Sequence, residues 1–92
     1  MDNRLLTQTC DRLTEIADIL YKGDVQTGIA AMNLVISNLA VITTWITDES
    51  VKKRLVEEAL TPALQAMEKH DGTMLADIIT YELLDILSMI KK

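Results

Sequence analysis

The side chains best suited to catalysis are scarce in this chain, which has one histidine, His70, and one cysteine, Cys10. Nucleophilic catalysis needs a nucleophile, a base and an orienting group within hydrogen-bond reach, and these two residues lie far apart in the sequence. No cation adjoins Cys10 at helical spacing to activate its thiol. We therefore expect no enzyme, with Cys10 at the edge of a core and His70 at a helix end.

Carboxylates could in principle supply acid-base chemistry or bind a metal ion. Two groups of them recur at helical spacing: Asp11, Glu15 and Asp18, and Asp77 with Asp85 on either side of Tyr81. Metal sites in helix bundles combine inward glutamates with Glu-x-x-His pairs, and the single histidine of this chain, His70, is not part of such a pair. Phosphate-binding glycine loops are also absent. The pattern predicts solvated acidic faces, with no metal and no cofactor.

Size and charge limit what the chain can bind. At 92 residues it forms one domain, residues 1–92, and its net charge of -5 opposes binding to a polyanion. The only basic cluster is Lys52, Lys53 and Arg54. A single cysteine cannot form an internal disulfide, and the first residues do not resemble a signal peptide. We expect a cytoplasmic protein with no nucleic-acid partner.

The helical period of the apolar residues indicates four helices. Asp2 or Asn3 can cap the first helix, Gly23 ends it and Asp24 can cap the second, which ends near 47–50. The third helix runs to about His70. Pro62 should either kink this helix or break it with Thr61 as a new N-cap. Turns of a few residues then predict an all-α, antiparallel up-down four-helix bundle.

The second helix is unusual because residues 25–47 carry no charge. On a helical wheel its polar and small residues form one stripe: Gln26, Ala30, Asn33, Ser37, Ala40 and Thr44. This alignment, with two asparagines in mid-helix, argues against a membrane span. Two interpretations stay open. Either the other helices bury this helix on two or three sides, or Ala30, Asn33, Ser37 and Ala40 form a self-association face of a homodimer.

The fourth helix carries a second apolar row beside its main apolar face. The row consists of Met74, Ile78, Tyr81 and Met89 and is interleaved with Glu82 and Asp85. A helix in a bundle needs one buried face, and methionine is common on surfaces that accept varied apolar partners. We interpret the row as a partner-binding surface. The alternative is that it packs inside a compact core.

Six residues of the fourth helix carry a resemblance: Leu75, Ala76, Asp77, Tyr81, Glu82 and Leu83. The pattern Leu-Ala-Asp-x-x-x-Tyr-Glu-Leu resembles the C-terminal part of small acidic helical-bundle proteins of bacteria, some of them associated with motility gene clusters. In general character the chain is similar to the export chaperones of flagella, which hold an amphipathic helix of a client. This resemblance implies a chaperone-like binding role.

These observations predict a non-enzymatic protein-protein interaction module, an adaptor or chaperone that binds an amphipathic helix or itself through apolar surface on the second and fourth helices. The alternative is a structural homo-oligomer whose assembly is its role. A remote alternative is a small-molecule or acyl carrier, since residues 48–51 are the nearest match to the Asp-Ser-Leu motif of acyl carrier proteins. In this chain, however, Glu49 separates Asp48 from Ser50, and Val51 replaces the leucine.

Overall fold

The computed structural model describes residues 3–90, which form four helices and contain no strand. Helix α1 is Asn3–Tyr21 and α2 is Val25–Trp45. Helix α3 covers residues 49–68 and α4 covers residues 72–90. The turns are residues 22–24, 46–48 and 69–71. The all-α fold class is confirmed, whereas Asp2, one of the two predicted N-caps, lies outside the described residues.

The first and third turns have the same local structure. In each, a residue with positive φ follows the helix, Gly23 at 94° and His70 at 54°, and the next residue is an aspartate that caps the following helix. The N–H of that aspartate donates to a carbonyl five residues back, Asp24 to Ile19 and Asp71 to Ala66, which is the Schellman motif. The turns are thus two copies of one C-cap and N-cap combination.

Helix α3 continues through Pro62 without a break. Its middle third, Leu55–Leu60, is a π-helical segment, and the N–H of Thr61 donates to the carbonyl of Val56, five residues back. The wider turn gives room for the proline ring, which in a regular α-helix would crowd the carbonyl of Glu58. Thr61 has helical φ and ψ, so the predicted break with Thr61 as an N-cap is wrong.

Helix α4 contains a matching π-helical segment, Ile79–Leu83, in which the N–H of Leu84 donates to the carbonyl of Ile79. The two π-helical segments contact each other. An extra residue per turn shifts every following side chain around the helix. The apolar faces after Leu83 therefore cannot be read from a regular period of 3.6 residues.

The core lies mainly around α1 and α4. Helix α1 packs against α2 and α4, and α4 packs against both α1 and α3, whereas α2 and α3 make much less contact with each other. The largest fully buried side chains are Leu6, Leu13, Ile16, Met32, Leu39, Ile42, Leu55, Leu75, Ile79, Leu83, Ile86 and Leu87. Helix α2 is therefore the peripheral element, held mostly by α1.

Among the described residues, Thr9 is the one buried polar side chain in the core. Its Oγ1 has no hydrogen-bond partner among residues 3–90. A buried hydroxyl without a partner keeps its full desolvation penalty, and valine has nearly the same shape. We expect Thr9→Val to raise the free energy of unfolding by about 1–2 kcal/mol in urea denaturation.

The matched control is Thr14→Val on the same helix. Thr14 is exposed, and its hydroxyl donates to the carbonyl of Cys10 at 2.9 Å. This substitution should leave stability within about 0.5 kcal/mol of the parent. Equal effects of the two substitutions would contradict the placement of Thr9 in the core.

Candidate functional site

Helix α2 is fully buried along one line and half-buried on either side of it, where Ile29, Ala31, Ile36 and Trp45 pack against the core. Its buried residues, alternately four and three positions apart, are Gly28, Met32, Val35, Leu39 and Ile42. This spacing places them along a single seam facing α1. At the start of the seam α1 and α2 are in close contact, since a Cβ on Gly28 would lie 2.3 Å from Cδ2 of Leu20. The neighbouring helices thus cover α2 mainly on one side.

The opposite side of α2 is exposed, and all four residues of the predicted self-association face lie on it: Ala30, Asn33, Ser37 and Ala40. Leu34, 74% exposed, and Val41, 45% exposed, flank this stripe at a spacing of seven. We name the α2 face as the set Gln26, Ala30, Asn33, Leu34, Ser37, Ala40, Val41 and Thr44. The side of α2 toward the bundle is covered mostly by α1, with a smaller contact from α4.

The hydroxyl groups of the α2 face are turned toward their own helix. Ser37 donates to the carbonyl of Leu34 at 3.2 Å, and Thr44 donates to the carbonyl of Val41 at 2.6 Å. Their hydrogen-bond donors remain satisfied when the face is covered, so covering it costs little desolvation. The amides of Gln26 and Asn33 are then the main polar groups of the face that must find partners when it is covered.

Length and hydropathy alone would allow α2 to cross a membrane. Its mean hydropathy is 1.6 over the most apolar window, of which 28% is buried. Core helices of soluble proteins meet the same criterion. Lipid and protein are therefore the two alternatives for what contacts the exposed side of α2, and an experiment must distinguish them.

The predicted partner-binding row on α4 is divided in the structure. Met74, Tyr81 and Met89 are exposed, whereas Ile78 is only 9% exposed and belongs to the core. Ile78 is buried because α4 packs against α1 and α3 together, which makes its buried face wider than that of a helix with one neighbour. The buried Ile78 therefore interrupts the row, and the three exposed residues do not form one continuous surface.

An arginine ties α3 to α4 beside Met89. The guanidinium of Arg54 lies 3.0 Å from Asp85, 3.4 Å from Glu82 and 3.5 Å from Glu58. The hydrogen bond with Asp85, followed by the one with Glu82, raises the pKa of Arg54 above its ordinary value. Arg54, which the sequence predicted only as part of a basic cluster, thus links α3 to α4 by pairing with Glu82 and Asp85.

Most residues of the Leu-Ala-Asp-x-x-x-Tyr-Glu-Leu pattern have structural roles here. Leu75, Ala76 and Leu83 are fully buried, and Glu82 pairs with Arg54. Asp77 accepts a hydrogen bond of 2.6 Å from the hydroxyl of Tyr21 on α1. Packing and two polar links account for the pattern except for Tyr81, which is 68% exposed.

The hydrogen bond with Asp77 raises the pKa of Tyr21 above its ordinary value of 10.0. Because this pKa is raised in the folded chain, the stability from the bond is fully present below the unfolded-state pKa. It is lost as the pH rises through the folded-state pKa.

In a Tyr81→Phe background, where Tyr21 is the only tyrosine, we expect Asp77→Ala to lower the pKa of Tyr21, measured as the midpoint of tyrosinate formation by ultraviolet absorbance. An unchanged midpoint would contradict the link between α1 and α4.

A small apolar cavity lies at the end of the molecule where α2, α3 and α4 meet. It has a volume of about 250 Å³ and is lined by Trp45, Ile46, Thr47, Asp48, Val51, Met89 and Ile90. Asp48 caps α3, and the hydrogen bond from the Ser50 hydroxyl lowers the pKa of its carboxyl. Ser50, the position of the remote carrier alternative, is thus engaged in the cap.

The other chemistry-bearing residues are not brought together. Cys10 is half-buried in α1, and His70 is exposed in the third turn. Within residues 3–90 no group of three or more histidine, cysteine or acidic side chains could hold a metal ion. The exposed carboxylates Asp11 and Glu15 line a polar groove beside Asn38.

The residues that the sequence reasoning missed are Leu34 and Val41. They are apolar residues at the edge of the stripe, and their spacing of seven was the available signal.

Comparisons with known proteins add no assignment: no protein-family model matches the chain, and neither curated proteins nor solved structures give a match. The site is therefore defined by its own geometry, an exposed and uncharged helix face on a four-helix chain.

Proposed function

We propose that this chain is a non-enzymatic protein-protein interaction module that binds through the α2 face. The supporting observation is that α2 exposes Leu34 and Val41 on a side that carries no charge along the whole helix. Contiguous exposed apolar surface on a soluble chain usually marks a binding surface. Three short turns support an antiparallel up-down arrangement of the four helices.

The α4 row is a weaker second surface for an adaptor or chaperone role. Met74, Tyr81 and Met89 are exposed, but Glu82, Asp85 and the buried Ile78 separate them. Each of the three can still contribute a single apolar contact at the edge of a partner. We expect the partner to be a protein, since a net charge of -5 disfavours nucleic acid and anionic lipid. We propose a cytoplasmic setting because a single cysteine cannot form an internal disulfide.

The proposal is tested by capturing partners from a lysate of the native source with three immobilised chains: the parent, Leu34→Lys and Leu64→Lys. Leu64 on α3 is the matched control because it is also an exposed leucine, 50% exposed. We expect the parent and Leu64→Lys to retain the same protein, either another chain or an untagged copy. Leu34→Lys should lose it.

Two results would overturn the proposal. One is retention that is equal for all three chains or absent from all of them. The other is binding of the parent to neutral lipid vesicles in a Leu34-dependent manner with no protein retained, which would make the α2 face a lipid-binding surface. Circular dichroism of each variant shows that the helices are retained.

A further inference from the structure

We propose that the occupant of the α2 face is the α2 face of a second copy of this chain, with the two α2 helices antiparallel about a two-fold axis. This inference rests on the proposed function and names the partner. Three properties of the face support it: its charge relative to the other helices, the order of its residues about the helix midpoint, and the state of its polar groups.

Charge restricts where two copies can meet. Each copy has a net charge of -5, and each of α1, α3 and α4 exposes carboxylates. Examples are Asp11 on α1, Glu57 on α3 and Asp85 on α4. Contacts through those faces would bring carboxylates of two anionic copies near each other, which is unfavourable at short range except where Arg12 or Lys53 pairs with them. Helix α2 has no charged residue between its caps, so its face is the one that matches itself electrostatically.

The order of residues along the face is nearly the same in both directions. Around Val35, the midpoint, Ala30 and Ala40 lie at equal distances along the helix, as do Asn33 and Ser37. Gln26 and Thr44 form the outer pair. A two-fold axis through the midpoint of antiparallel helices therefore places Ala30 opposite Ala40 of the second copy, and Asn33 opposite Ser37 of the second copy. An isologous dimer requires this kind of self-complementarity.

The polar groups of the face fit such a contact. Ser37 donates its hydrogen to its own backbone but keeps lone pairs that can accept from the Asn33 amide of the second copy. The alanines allow the helix axes to come close, and Leu34 and Val41 then extend the contact along one side. Two Asn33 to Ser37 pairs would fix the antiparallel direction, because parallel helices would place like residues opposite each other.

The size of the face sets the expected affinity. A helix of this length is about 30 Å long and 10–12 Å wide, which makes a contact of only a few hundred Å² per copy. Stable interfaces bury about 800 Å² per partner, so a weak dimer in the micromolar range is expected. Because two anionic copies approach each other, screening by salt should strengthen the association, in contrast to a complex held by ion pairs.

The direction of the helices is tested by disulfide formation in a Cys10→Ser background. Chains carrying Ala30→Cys and chains carrying Ala40→Cys are oxidised separately and as a mixture. We expect a mixed disulfide between the two variants and little disulfide in either one alone, since antiparallel copies separate like positions by about 15 Å. Disulfides formed mainly within each separate sample would mean parallel helices and overturn the proposal.

Association itself is measured by light scattering of the parent chain over a range of protein and salt concentrations. We expect a dimer whose apparent affinity rises as salt is added and falls at least tenfold in Leu34→Lys, but not in Leu64→Lys. A parent that is monomeric throughout would overturn the second copy as occupant. If that monomer still retained another protein from the lysate in a Leu34-dependent manner, the proposed function would stand with a different partner.

Discussion

Leu39→Ala is expected to lower the free energy of unfolding by about 2–5 kcal/mol. Leu39 is fully buried in the middle of the α2 seam against α1. Truncation removes the apolar contacts of the side chain and leaves a cavity that the neighbouring helix fills only in part. Urea denaturation followed by circular dichroism measures the loss, at a protein concentration low enough to keep the chain monomeric.

The control is Leu34→Ala, the same substitution on the same helix. Leu34 is 74% exposed, and its truncation should change the monomer by less than about 0.5 kcal/mol. The pair of variants therefore determines which side of α2 faces the bundle. Comparable losses at the two leucines would show that both sides of α2 are covered within one chain, and the α2 face would not be available to a partner.

Gly28→Ala is expected to be the second most damaging of these substitutions, with a loss of about 1–3 kcal/mol. The added Cβ would lie 2.3 Å from Cδ2 and 2.6 Å from Cγ of Leu20, which is itself buried. Alanine favours helix over glycine by about 1 kcal/mol, so any net loss understates the steric effect. Thermal unfolding is a suitable measurement.

Thr27→Ala is the control for Gly28→Ala because Thr27 is the adjacent exposed position on α2. This substitution should be neutral or slightly stabilising, since alanine has the higher helix propensity. A gain in stability from Gly28→Ala itself would mean that α1 and α2 are further apart at the first turn than the contact with Leu20 indicates.

Local sequence signals predicted the helices and the turns well. Gly23 at the end of α1 and Asp24 before α2 are short-range signals, and each lies where the structure uses it. The recurrence of Lys22 and Asp24 as Lys69 and Asp71 marks the same cap used twice. These predictions held because a cap depends on a few neighbouring residues and little on tertiary packing.

The surfaces were harder to predict because they depend on which helices are neighbours. A wheel of α4 with a regular period placed Ile78 away from the core, but α4 packs against two helices, which makes its buried face wider. For α2 the reverse holds: its apolar residues indicated extensive burial, yet α1 covers mainly one side. Neither the π-helical segment of α4, Ile79–Leu83, nor the peripheral position of α2 has a local signature in the residues themselves.

Sedimentation equilibrium of the parent, Leu34→Lys and Leu64→Lys tests most directly whether the α2 face is an interface between copies. If the α2 face is that interface, the parent and Leu64→Lys show the same monomer-dimer equilibrium at micromolar concentration. Leu34→Lys should associate at least tenfold more weakly than the parent while keeping its helical circular dichroism. A parent chain that is monomeric throughout, or three chains that associate equally, would show that the α2 face is not an interface between copies.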